Sequence, residues 1–311
     1  MSVNIQETPA TGTIVDVNRD LAALLKQEQL PAMPHSALSI LQLDSDLTKV
    51  NIHDIVHPIE ADPGLAAQVL KFLNSAFFGF QNHITNIKQG IALAGFRIVK
   101  NFVLWKAVFS LMPRTESTVF NIKQLWQDSL RRALFAKQIA QGLRATDSDL
   151  AFIGALLQDM AIPLLLKRKP QVYSDLLLKL QNEPEKRLSR LESEKLGWNH
   201  AVAAGVMCRI WKIPDDLASL IANHIIIEPF LSDIGKNASQ ISVSLSAFLP
   251  SVTGKKWNEQ EALMYYTDKI FPNKPTLIPD FFDLADREYT QYANILQISQ
   301  PSKKLTDYLG K

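Results

Sequence analysis

Apolar residues recur three and four positions apart along most of the chain, whereas strict two-residue alternation is almost absent. That period predicts helices throughout and an all-α protein. In LPAMPHSALSILQL, two prolines introduce a helix carrying Ala37, Ile40, Leu41 and Leu43. In EADPGLAAQVLKFLNSAFFGF, Asp62 suits an N-cap and Pro63 the first helical position, while Leu65, Val69, Leu70 and Leu73 form one apolar stripe. The stretch from Ile84 to Pro113 reads as two helices hinged near Gly95. Phe72, Phe77, Phe78 and Phe80 are read as core between these helices rather than as a binding surface.

PRTESTVFN, from Pro113 to Asn121, is polar and loosely patterned, and marks a boundary. A second helical run starts near Ile122, carries Leu125, Leu130, Leu134, Ile139 and Leu143, and stops at the turn RATDSD. There Thr146 and Asp149 have the spacing of a capping box, with Asp standing in for Glu. They would launch the helix containing GALLQDMA. Pro163 cannot donate to the carbonyl of Asp159, so this helix is expected to kink or end around that carboxylate. Two shorter helices follow, from about Asn199 to Trp211 and from about Pro214 to His224. Beyond Pro229, SQISVSLSAFL and FFDLADREYTQYANILQI read as helical, and the residues from Pro301 as a loosely held tail. The organisation expected is a segment 1–29, a helical bundle 30–113, a second helical domain 114–230 and a helical extension 231–311 packing on it.

Composition narrows the function. Hydrophobic residues make up 47% of the 311 positions and charged residues 21%, enough for a large core. The net charge is +2 and the basic residues are scattered, so there is no nucleic-acid footprint. Cys208 is the single cysteine, which excludes an internal disulfide and a cysteine metal cluster. The N-terminal residues lack a leader pattern and no run of about eighteen apolar residues stands out, so a cytoplasmic protein without a membrane segment is expected.

The candidate chemistry lies in the second half. His200 begins one short helix and His224 ends the next, and both arms are roughly 16 Å long. Antiparallel packing brings both imidazoles to one end, either as ligands of a shared ion or as core histidines. Asp159 at the kink could add a carboxylate. Asp128, near the start of the preceding helix, could add another, although a solvated surface position suits it better. Arg131 and Arg132 could face an anion, or simply be solvated.

The stretches LPAMPHSALSILQL, IVHPIEADPGLAAQVLKFLNSAFFGF and ITNIKQGIALAGFRIVKNFVL closely resemble the HDOD family, a bacterial signalling module related to the HD superfamily of metal-dependent phosphohydrolases. LWQDSLRRALFAKQIA, AFIGALLQDMAIPLLL and WNHAVAAGVMCRIWKIPDDLASLIANHI align with its HD-like half. The resemblance covers roughly Leu30 to Ile225 and implies two helical-bundle halves, the second HD-like.

It also implies a metal set of an early histidine, a His-Asp pair and a later aspartate. Here the early histidine falls on or near Asp128, the histidine of the pair is Gln158, and SVSLSAFL has no acid. Asp159, His200 and His224 match in type. Asp128, Gln158, Asp159, His200 and His224 are therefore expected to form a vestigial site, with no catalytic residue and no cofactor. The function expected is non-catalytic signal transduction or scaffolding, with signalling proteins as partners. A cyclic dinucleotide or other small anion is a possible ligand, contacted by Arg131 and Arg132. The alternative is a metal-dependent phosphohydrolase acting on a nucleotide or cyclic dinucleotide, its divalent ion held by Asp128, Asp159, His200 and His224.

Overall fold

A computed structural model describes residues 21, 24–25, 30–43, 50–75, 78–113, 118–183, 185–252, 257–272, 274, 277–296 and 298–309. Among the described residues there are fifteen α-helices and no strand. The first five are α1 (His35–Leu41), α2 (Ile52–Glu60), α3 (Pro63–Leu73), α4 (Ile87–Ala94) and α5 (Phe96–Leu111). Asp62 caps α3 by accepting from Leu65 N at 3.0 Å, with Pro63 at the first position as expected. Gly95 separates α4 from α5. Phe72 stacks on Phe102 with centroids 4.1 Å apart, and Phe78 packs edge-on to Phe72. Phe77 lies outside the described residues.

The second half opens with α6 (Ile122–Gly142), capped by Asn121. It continues through α7 (Ser148–Leu157), α8 (Ala161–Arg168), α9 (Pro170–Asn182), α10 (Leu188–Leu196), α11 (His200–Ile210) and α12 (Asp215–Ala222). After a short 3-10 turn come α13 (Ala238–Ser246), α14 (Gln260–Ile270) and α15 (Leu277–Leu296). Helix α6 is the axis, packing against α7, α13 and α15. One apolar core runs through both halves. Trp126 of α6 meets Trp105 and Phe109 of α5 edge-on, Arg97 pairs with Asp149 at 2.5 Å, and Trp211 Nε1 donates to Pro31 O at 3.0 Å.

Three expectations are corrected. The cap of α7 is Asp147, whose Oδ1 accepts from the backbone of Asp149 and Leu150, and not Thr146. Asp wins because its short carboxylate reaches both amides at once. The residues beyond Pro301 are not loosely held: Asp286 accepts from Leu305 N and Thr306 N, and Leu305 is fully buried. Gln127 Nε2 donates to Ser299 O at 2.8 Å and Arg131 Nη2 to Lys303 O, strapping residues 298–309 to α6. Finally, Ser148–Arg168 is long and apolar enough by composition to cross a membrane. Of its most apolar eighteen-residue window, 94% is buried inside this helical array, as core helices are.

Two glycines shape the hairpin that carries the histidines. Gly197, at φ 74°, ends α10 in the left-handed conformation and turns the chain into Asn199, which caps α11. Gly205 lies where an added Cβ would stand 2.9 Å from Ala222 Cβ. Its missing side chain lets α11 and α12 approach closely.

Candidate functional site

The run from Ser148 breaks at Gln158–Met160, where sequence reasoning placed the kink. Ile162 N donates to Asp159 O at 3.1 Å, a tighter turn than the bond Pro163 is unable to make. The break turns the Asp159 side chain toward the open end of the α11–α12 hairpin. There His200 Nε2 and His224 Nε2 lie 3.2 Å apart, and Asp159 Oδ1 lies 3.5 Å from the first and 3.7 Å from the second. All three side chains are buried. The convergence inferred from the two equal arms is therefore present.

The far atom of each of these groups is held. Glu192, fully buried on α10, accepts from His200 Nδ1 at 2.6 Å and from His200 N at 2.9 Å. Its other oxygen accepts from Tyr173 OH at 2.8 Å. His224 Nδ1 donates to Ile221 O at 2.8 Å. Carbonyl and carboxylate acceptors put a proton on both Nδ1 atoms, so each Nε2 is the edge turned to its neighbour. Asp159 Oδ2 accepts from Arg132 Nη1.

Arg132 sits four residues after Asp128 on α6, hence on the same face. Asp128 is not the solvated acid expected. It is half-buried, and its oxygens accept from Ser251 Oγ and Val252 N, each at 2.7 Å. The turn after α13 closes over it and engages both oxygens, and Asp128 is not among the three groups whose donor atoms converge. Arg131 also differs from expectation: it is buried and turned to the strap at Lys303, away from the cleft. Gln158 Oε1 accepts from Ser246 Oγ at 3.2 Å. Its Nε2 lies near Asp159 without a well-formed hydrogen bond.

The electrostatics follow from this arrangement. Burial opposes the Asp159 charge, but Arg132 and then the two histidines outweigh it and hold the carboxyl below its usual range. Burial alone pushes Asp128 up, against Arg132. For His200, burial works against the charge, and Glu192 together with Asp159 overcomes it, so its pKa is raised. Burial pushes His224 down to about 3.

The His224 shift predicts a pH dependence. An unfolded histidine titrates near 6.5. His224 stays neutral in the fold, so it contributes stability above about pH 6.5 that is lost as the pH falls toward 3. The slope is at most about 1.4 kcal/mol per pH unit. The His200 contribution is already complete below about pH 6.5 and disappears only as the pH rises through its raised value. Urea denaturation between pH 7 and 5 should therefore be steeper for the parent than for His224→Gln. Parallel curves would refute it.

Beside the three groups opens a cleft of about 1560 Å³, lined among others by Lys123, Arg132, Lys186, Arg187, Ser189 and Trp257. Arg187 is engaged with Glu259 at 2.7 Å and lies over the Phe248 ring.

Whether these residues suit a divalent ion has two parts. Donors about 2.0–2.2 Å from one ion stand roughly 3.0–3.6 Å apart, and the three atoms lie 3.2, 3.5 and 3.7 Å from one another. The spacing agrees. The charge does not, because the single carboxylate among them is already neutralised by Arg132. With Arg132 in place, the donor set does not suit the ion.

Sequence reasoning missed Glu192 and Tyr173. Glu192 falls in the polar run ESEK, yet stands four residues from both Leu188 and Leu196 on the apolar stripe of α10. That spacing is the signal of an inward-facing acid.

A model of the HDOD domain family matches residues 30–226. An uncharacterized protein of Treponema pallidum (strain Nichols) is 26% identical over 208 residues, 63% of this chain and 38% of that protein. The chain thus spans well under half the length of that curated relative. Among solved structures, a candidate signal-transduction protein from Marinobacter aquaeolei VT8 superposes with a TM-score of 0.72 at 20% identity, over 96% of this chain and 68% of that one. An HDOD domain protein from Geobacter sulfurreducens gives 0.68 at 18%, over 90% and 98%. A candidate phosphohydrolase from Shewanella amazonensis SB2B gives 0.66 at 19%, over 89% and 98%. At these identities the likeness concerns the fold.

Proposed function

The chain belongs to the HDOD family, and from that premise we propose that it is a bacterial, cytoplasmic signal-transduction protein that works by binding and not by turnover. One observation carries this reading. The Arg132–Asp159 pair sits where a hydrolytic ion would need an uncompensated carboxylate. Without such an ion no hydroxide is generated near neutral pH, and the nucleophile of metal-dependent hydrolysis is missing. Gln158 adds only a neutral oxygen, and that oxygen is spent on Ser246. In this reading residues 30–113 and 114–230 are the two working halves, with 231–311 packed on the second. Their outer helical faces meet signalling proteins, and the cleft is roomy enough for a small anionic ligand of the cyclic-dinucleotide kind.

The spacing of Asp159, His200 and His224 supports a second reading, a metal-dependent phosphohydrolase of atypical ligand set. A hydrolysis assay separates the two. The parent and Asp159→Asn are incubated with bis(p-nitrophenyl) phosphate or cyclic dinucleotides, each with manganese, iron or zinc. The expected result is product at the level of the Asp159→Asn variant. Turnover by the parent that this substitution removes would establish the hydrolase instead.

A further inference from the structure

We propose that Arg132 is the resident cation of this site, a tethered guanidinium doing the charge-neutralising work of a bound ion and keeping the Asp159–His200–His224 set free of metal. The inference deepens the binding-only reading, on which it rests, by naming the residue that blocks the ion.

Arg132 lies between two carboxylates. It pairs with Asp159 and shares its helix face with Asp128, and both raise its own pKa against the effect of burial. It also bears on both histidines, disfavouring positive charge on each. Every requirement of a one-ion site except charge is met in this place. Three donor atoms converge at ligand spacing, and the outer nitrogens of both imidazoles are fixed by Glu192 and Ile221. Second-shell bonds of this kind set the tautomer and orientation of histidine ligands. A dication arriving beside a guanidinium that is mostly shielded from water meets repulsion that is only partly screened. Removing the guanidinium reverses that balance: the freed carboxylate then lacks its partner, and an ion held by two imidazoles and one carboxylate supplies the missing charge. That donor set suits cobalt or zinc.

The test uses the full chain titrated with cobalt chloride, read by visible d–d absorption, and zinc content after dialysis, read by mass spectrometry. Arg132→Met keeps an unbranched apolar stem and deletes the charged head, and Arg132→Lys keeps a charge. The parent and Arg132→Lys should show no stoichiometric ion. Arg132→Met should hold one equivalent, bound at least roughly 100-fold more tightly than in the parent, and Asp159→Asn in that background should abolish it. If Arg132→Met does not fold alone, zinc present during refolding should restore helicity, because the ion replaces the lost charge. Failure of zinc to rescue it overturns the proposal. So does a folded Arg132→Met without an ion, or a parent that binds one equivalent through Asp159. None of these readouts involves substrate, so their failure is distinct from discovery of turnover in the parent.

Discussion

Glu192→Ala is expected to lower the stability of the protein by at least about 3 kcal/mol, measured by chemical denaturation at neutral pH. The carboxylate is fully buried and takes three donors, the backbone and Nδ1 of His200 and the hydroxyl of Tyr173. Alanine leaves all three in place without an acceptor, and each buried orphan costs about 1–3 kcal/mol. Since globular domains have only about 5–15 kcal/mol in total, the variant should lie close to its unfolding limit. Tyr173→Phe removes one donor and leaves the single buried oxygen Oε1 of Glu192 without its partner, so it should lose about 1–3 kcal/mol, less than Glu192→Ala. A Glu192→Ala loss as small as that of Tyr173→Phe would mean that water reaches the two His200 donors, contrary to the burial of α10 against α11.

Asp159→Ala is the second large effect. It breaks a buried ion pair and leaves Arg132 without its direct partner. Unpairing a buried charge costs about 3–5 kcal/mol, and the lower end applies because Arg132 keeps 18% of its side chain exposed to the cleft. Adding Arg132→Met to Asp159→Ala removes the stranded charge, so the double variant should be more stable than Asp159→Ala alone. Additive losses in a double-mutant cycle would show that the two side chains act independently.

Helices were legible where an apolar stripe coincided with a cap or a proline. Asp62–Pro63, Gly95 and Pro163 each announce a boundary that the fold contains. α2 has a capping box at Asn51 and Asp54, but Pro58 inside it masks the signal. α10 is short and charged, and α9 lacks a side-chain cap, so their patterns alone do not stand out. At the site, the meeting of His200 with His224 and the placing of Asp159 at a break follow from helix lengths and one proline. The partners that come from farther along the chain do not follow. Asp128 reads as solvated until Ser251 and Val252, more than 120 residues later, fold over it. Arg132 reads as a surface cation until Asp159 is seen opposite it. Local periodicity reports which way a side chain faces, and a charge facing inward is intelligible only with its partner.

The strap over α6 has a consequence for the order in which the molecule is made. Gln127 waits for Ser299, and Arg131 for Lys303, each 172 residues downstream. At about 5–20 residues per second on the ribosome, the outer face of α6 goes uncovered for roughly 10–30 s after the helix has been synthesised. During that interval α6 can pack on α7, but its strapped side stays open. The part of the chain that carries the buried charges is therefore among the last to be sealed, and a ribosome stalled before Ser299 leaves Gln127 and the buried Arg131 without the acceptors that close over them.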